Sequence, residues 1–229
     1  MYLLLLLLIN TVLAADTGLS NEAGHKIFFE FADNIPESIQ HNSSINLKNY
    51  LDRHHSPLSD QDKNELLQLT PDIVSKSSQP YGYFHAECYA KNKNHPESHI
   101  IFIHCDLGPP IITEKIEISV IGPGKDLIET SIEEHQIPSQ EGKQFKAKDY
   151  EDSKQFLLQL AYEHGYINAD TSLSKLTIDT DHNKASLTLH IDSNQAYEFG
   201  EINIPQSTYN KDFLKGMANF TTGERYQSK

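Results

Sequence analysis

The sequence predicts an α+β chain assembled from repeated β-α-α-β-β units, each a three-stranded sheet covered by two helices. Three observations predict it. Residues 112–194 hold one complete unit in that order: the alternating strand Ile116-Glu-Ile-Ser-Val-Ile121, a helical segment Lys125-Asp-Leu-Ile-Glu-Thr-Ser-Ile132, a helix from Asp149 to His164, and two strands. The landmarks of that unit recur on both sides of it. Leu107-Gly-Pro-Pro110 marks a break between copies, because glycine and two prolines interrupt strand pairing.

With 229 residues and 38% hydrophobic content, the chain suits one large domain or two to three small ones. Its formal net charge of -13 argues against nucleic acid, where Lys and Arg contacts to phosphate supply most of the affinity. The same charge argues against anionic lipid headgroups. Residues 1–14 read as an export signal: the Leu run is too short to span a bilayer, and small or compact residues precede a cleavage point between Ala14 and Ala15. The lack of Lys or Arg ahead of that run leaves an uncleaved anchor or a misplaced start as alternatives. Residues 15–25 are small and polar and read as a linker.

The first unit, residues 26–108, opens on the strand Ile27-Phe-Phe-Glu-Phe31. Ile35, Ile39, Ser43, Leu47, Tyr50 and Leu51 then share a face at helical spacing, with Pro36 in the first turn. A second helical piece runs from Ser59 to Leu69, and Thr70-Pro71 reads as the cap and first turn of a separate short helix. Gln79-Pro-Tyr-Gly-Tyr83 ends it. A hairpin follows, turning on Pro96-Glu97. Counting outward from that turn puts Cys88 opposite Cys105, and places Phe84, Ala86, Cys88 and Ala90 on the same side as Ile101, Ile103 and Cys105. In an exported chain this predicts a disulfide worth about 3 kcal/mol by loop closure; the alternative is two buried thiols.

In the second unit, residues 109–195, Asp149 reads as the N-cap of the long helix and Gly165 as its left-handed terminator. Asp181-His-Asn-Lys184 turns a hairpin whose simplest register pairs Ile178 with Leu187 and Leu176 with Leu189. A third copy, residues 196–229, begins but does not finish. Phe199-Gly-Glu-Ile-Asn-Ile204 repeats the opening strand, Lys211-Asp-Phe-Leu214 echoes Lys125-Asp-Leu-Ile128, and Gly223-Glu-Arg-Tyr226 echoes Gly142-Lys-Gln-Phe145. It stops where the second copy enters its long helix, so the tail is expected to be poorly ordered or to dock on the unit before it.

Three motifs in order carry a family resemblance: Thr70-Pro-Asp-Ile-Val-Ser-Lys-Ser-Ser-Gln-Pro-Tyr-Gly-Tyr-Phe84, then Lys148-Asp-Tyr-Glu-Asp-Ser-Lys154 leading to His164-Gly-Tyr166, then Tyr197-Glu-Phe-Gly-Glu-Ile202 with Gly223-Glu-Arg-Tyr-Gln-Ser-Lys229. From about Ile27 onward the chain resembles tandem POTRA (polypeptide-transport-associated) domains, in particular those of the TamA family, the outer-membrane component of the translocation and assembly module. Members of that family carry three such domains before an outer-membrane β-barrel. The resemblance implies a periplasmic location tethered to the outer membrane, an inner-membrane-anchored partner of the TamB type, and unfolded outer-membrane clients such as autotransporters. Two features depart from the pattern. The cysteine pair is not part of it, and the barrel and most of the third domain lie outside these 229 residues. A barrel-free periplasmic scaffold or chaperone and the arm of a two-partner-secretion transporter are the rival readings.

Enzyme and metal chemistry fare poorly. His85, Cys88, His104 and Cys105 are a zinc-type donor set in name, but strand alternation sends them to opposite faces. His54-His55 reads as solvated surface. No nucleophile elbow, P-loop or dinucleotide fingerprint is present, so no catalytic residue, cofactor or metal is assigned. Asn42-Ser-Ser44 and Asn219-Phe-Thr221 match glycosylation triplets of a kind that is common by chance. The functional feature is a small open sheet whose edge can accept an extended polypeptide through backbone hydrogen bonds. The resemblance points to the second strand of each sheet: Tyr83, His85, Glu87 and Tyr89 in one, Leu176, Thr177 and Ile178 in the other. The alternative is that these are merely solvated edges.

Overall fold

The computed structural model describes residues 19–20, 26–53, 58–94, 98–203, 213 and 216–227. The expected leader and its Ala14–Ala15 junction lie outside them, as do the His54-His55 pair and the Pro96-Glu97 turn. The chain divides into two compact α+β units, Met1–Gln79 with Tyr83–Pro109, and Pro80–Gly82 with Pro110–Lys229. Among the described residues no helix is long and apolar enough to cross a membrane.

The first unit contains β1 (Leu19–Ser20), β2 (Lys26–Phe31), α1 (Glu37–Leu51), α2 (Asp60–Ser78), a 3-10 turn (Gln79–Tyr81), β3 (Glu87–Asn94) and β4 (Ser98–Asp106). Its sheet runs β1-β2-β4-β3, with β2 parallel to β4 and the β3–β4 hairpin antiparallel. Ile27, Phe29, Ile101, Ile103 and Cys105 are buried from the sheet, and Ile39, Leu47, Leu66 and Val74 from the helices. The two helices are also joined by polar bonds. Asn42 Nδ2 donates to the Ser77 carbonyl and Asn46 Nδ2 to the Ser77 hydroxyl, with the small Ser43, Ser77 and Ser78 buried nearby.

Three expectations change here. The linker contains β1, whose Leu19 and Ser20 pair with Ile27 and Lys26. Thr70 does not start a new helix. A Ser59–Asp62 capping box opens α2, which continues through Pro71 to Ser78. Thr70 is fully buried and its hydroxyl donates to the Leu66 carbonyl, so it faces the core within the helix. The buried run Leu66, Thr70, Val74 and Ser77 outweighs the backbone bond that proline forfeits. Finally, β3 starts at Glu87, which leaves Tyr83 and His85 in the bend before it.

The second unit contains β5 (Ile112–Ile121), α3 (Lys125–Glu134), α4 (Ala147–Glu163), β6 (Asp170–Asp179) and β7 (Lys184–Asp192), with sheet order β5-β7-β6. Again the first strand is parallel to the central one and the last two form a hairpin. β7 alternates cleanly: Ala185, Leu187, Leu189 and Ile191 are buried, and Ser186, Thr188 and His190 face outward between them. Each buried Leu or Ile there contributes about 1.5–3 kcal/mol. They share the core with Val120, Ile128, Leu157, Leu160 and Tyr166.

Two expectations shift in this unit. α4 begins at Ala147 behind Lys146, so Asp149 is the third helical residue rather than the cap, and its carbonyl accepts from the Ser153 hydroxyl. The hairpin pairs Leu176 with Leu187 and Ile178 with Ala185, two residues from the simplest register. The cause is a four-residue turn over 180–183, in which Asn183 is left-handed at φ 55° and the Asp179 carboxylate accepts from the His182 amide. A slip of two keeps every side chain on its face, so the core is unaffected.

Residues 199–203 do not form the expected strand. The described part of the tail has one bridge, between Glu198 and Arg225. It docks on the end of α4. The Tyr197 amide donates to the Gly165 carbonyl, the Tyr226 amide donates to Tyr197, and the hydroxyls of Tyr162 and Tyr226 lie 2.8 Å apart. Phe199 stacks on Phe220 with ring centroids 4.0 Å apart. Pro80–Gly82 makes the same arrangement elsewhere in this unit: the Ile111 amide donates to Gly82, and the Phe145 amide donates to Ile111. Gly82 and Gly165 have φ of 87° and 85°. A Cβ on them would lie 2.6 Å from the Phe145 carbonyl oxygen and 2.3 Å from that of Tyr226. Both positions require glycine for conformation and for space.

Candidate functional site

In each unit the strand beside the central one on the hairpin side is an edge: β3 in the first sheet and β6 in the second. The opposite edge is occupied from within the chain. In the first unit β1 pairs with the start of β2. In the second, residues 141–144 cover the start of β5. The Thr113 amide donates to Lys143, the Gly142 amide to Thr113, and the Ile116 amide to the Glu141 carboxylate. The segment that covers β5 was not anticipated; its signal was Gly142, whose φ of 75° lets the chain turn back along the strand.

Of the residues expected on these edges, Glu87 and Tyr89 lie on β3, and Leu176, Thr177 and Ile178 on β6. Tyr83 and His85 do not reach the sheet. β3 is an unbroken strand of 8 residues with no bulge in its pairing to β4. Cys88 and Cys105 are joined by a disulfide and their Cα atoms are 4.1 Å apart. That spacing belongs to the pairs of an antiparallel ladder that exchange no hydrogen bonds. By alternation Cys88, Ala90 and Asn92 therefore aim their backbone N–H and C=O groups away from β4, along the edge. The disulfide lies on the core side, where Cys105 is fully buried.

The other side of β3 carries Glu87, Tyr89, Lys91 and Lys93 on the open face of the sheet. Tyr89 is 62% exposed. The Lys91 and Lys93 ammonium groups stand 5.3 and 4.5 Å from the centre of the Phe102 ring on β4. Lys93 also pairs with Glu30 of β2 at 2.5 Å. Phe28 and Ile100 are half-buried beside Phe102, which gives this face an apolar floor. Sequence reasoning passed over Lys91 and Lys93, although two lysines at alternate positions of a strand share a face.

β6 differs. Its core side presents half-buried Leu176 and Ile178, with Ser174 hydrogen-bonded to the Tyr150 hydroxyl. Lys175, Thr177 and Asp179 alternate with them. At the end of the strand, hydrogen bonds from the His182 ring and amide hold the Asp179 carboxyl below its ordinary value. Among the described residues no group of His, Cys, Asp and Glu side chains is arranged to hold a metal ion.

No protein-family model matches the chain. Among solved structures it is similar to POTRA domains 3–5 of BamA from Haemophilus influenzae, at 13% identity over 90% of this chain and 80% of that one, with a TM-score of 0.45. It is similar to POTRA domains 1–2 of the periplasmic domain of Omp85 from Anabaena, at 12% identity over 76% of this chain and 96% of that one, with a TM-score of 0.29. It is also similar to CdiB from Escherichia coli, at 10% identity over 77% of this chain and 30% of that one, with a TM-score of 0.29. At such identities and TM-scores the α+β fold stands on the element order and strand pairing described above.

Proposed function

We propose that the chain is the periplasmic POTRA arm of an outer-membrane protein assembly or autotransporter secretion factor, and that it holds client or partner polypeptides by strand addition at β3 and β6. One observation carries this reading. Among the described residues both units leave the hairpin edge of the sheet open, while their own chain covers the start of the opposite edge. An edge strand offers a row of backbone donors and acceptors that an extended polypeptide of almost any sequence can satisfy. The motifs around Gly82, Gly165 and Gly223 support the POTRA assignment, with residues 196–229 as the start of a third domain. The apolar leader supports export, with cleavage between Ala14 and Ala15. The partners this reading implies are unfolded outer-membrane clients such as autotransporters, together with a TamB-like protein anchored in the inner membrane.

A photo-crosslinking amino acid placed at Tyr89, at Thr177, or at exposed Thr130 on α3 tests it in cells secreting an autotransporter. Adducts to the passenger or to a TamB-like partner are expected from the two edge positions and not from the helix. Equal yields from all three sites, or none from the edges, would overturn strand addition.

A further inference from the structure

We propose that the β3 edge selects extended segments with carboxylates at alternate positions, which lie beside Lys91 and Lys93 on the open face of the sheet. The inference rests on the strand-addition reading and adds a sequence preference to it. A strand laid along β3 places every second side chain directly beside Glu87, Tyr89, Lys91 and Lys93, at the distance where cross-strand pairs interact. The side chains between them meet Cys88, Ala90 and Asn92, two of which are small and one of which is tied into the disulfide. The core side of this edge is bordered by α2, where Lys63, Asn64 and Leu67 line a cavity with Asn92, and the selecting charge is on the open face.

The local charge is unusual for this chain. The whole sequence is acidic, with a formal net charge of -13, yet one end of β3 presents two ammonium groups two residues apart. Among the described residues Lys91 has no carboxylate within ion-pair distance; its ammonium lies over the Phe102 ring. Lys93 shares that ring and one carboxylate, Glu30. The floor of Phe28, Ile100 and Phe102 limits water on one side of these cations, which strengthens their attraction for an incoming carboxylate. The other end of β3 has the opposite sign, because Glu87 stands across from Asp106 of β4. An incoming strand thus meets cations at one end, Tyr89 in the middle and carboxylates at the other, so the charge pattern also sets its direction. β6 lacks the lysine pair; its equivalent face carries the single cation Lys175, followed by Thr177 and Asp179.

The test uses the purified chain and three labelled seven-residue peptides, Thr-Glu-Thr-Glu-Thr-Tyr-Thr and its Gln and Lys counterparts at the two Glu positions, with binding read by fluorescence anisotropy. The Glu peptide is expected to bind on the order of tenfold more tightly than the Lys peptide, with a gap that narrows as salt is raised. The double variant Lys91→Glu, Lys93→Glu should reverse the order. A Glu peptide N-methylated at alternate residues, made in both phases, should lose binding in the phase that faces β3. Loss on N-methylation with equal affinity for all three unmethylated peptides would overturn the charge selection and leave strand addition standing. Full binding by both methylated peptides, or no binding by any peptide, would overturn both.

Discussion

Gly165 has the carbonyl oxygen of Tyr226 2.3 Å from where a Cβ would stand, at a φ of 85°. A methyl group there must displace residues 225–226 or distort the end of α4. Gly165→Ala is therefore expected to cost more than about 1 kcal/mol and to expose the Tyr197 and Tyr226 amides, which hydrogen exchange would report while the β7 amides stay protected. A second residue-scale consequence concerns pH. The Asp179 carboxyl is held below its ordinary value of 3.8, first by the His182 ring and then by its amide. A carboxylate with a depressed folded value stabilises the turn above the unfolded value, and that support is lost as pH falls through the lower folded one. The Asp179 side-chain carboxyl signal should titrate with a midpoint below that of an Asp in an unstructured peptide. His182→Ala should move the Asp179 midpoint upward, which a side-chain carboxyl titration by NMR would detect.

At the scale of elements, the β3–β4 hairpin is where pattern and structure agree most closely. Its register could be counted from Pro96-Glu97 alone, and the pairing of Cys88 with Cys105 followed. A disulfide across 17 residues stabilises by about 3 kcal/mol in the chain-entropy model. Cys88→Ala with Cys105→Ala is accordingly expected to lower the denaturation free energy of the first unit by about that amount, read from the shift of its guanidinium midpoint. Elsewhere local rules misled. Thr70-Pro71 is a good helix start, but burial of Thr70 and Val74 keeps α2 continuous through it. Asp149 is a good cap, yet the helix has already begun at Ala147. In the second hairpin the turn length, not apolar matching, set the register, because Leu176 has an apolar partner on β7 in either alignment.

For the molecule as a whole, the α+β class and the β-α-α-β-β order were legible because apolar periodicity and Gly or Pro breaks change together along the chain. The choice of the second strand of each sheet as the open edge came from the family resemblance, not from periodicity. What closes the opposite edges was not legible: β1 is two residues long, and residues 141–144 carry no strand pattern. The lysine pair on the open face became visible only once Phe102 was placed beneath it.

The disulfide has a mechanical consequence. A polypeptide drawn lengthwise along β3 would load its new hydrogen bonds in shear, and tension would pass through β3 into the rest of the sheet. Because Cys88 is covalently joined to the buried central strand, that tension cannot peel β3 from β4 past the linked pair. If a polypeptide is held there as proposed, its contact with β3 would be the first to yield and the hairpin would stay paired.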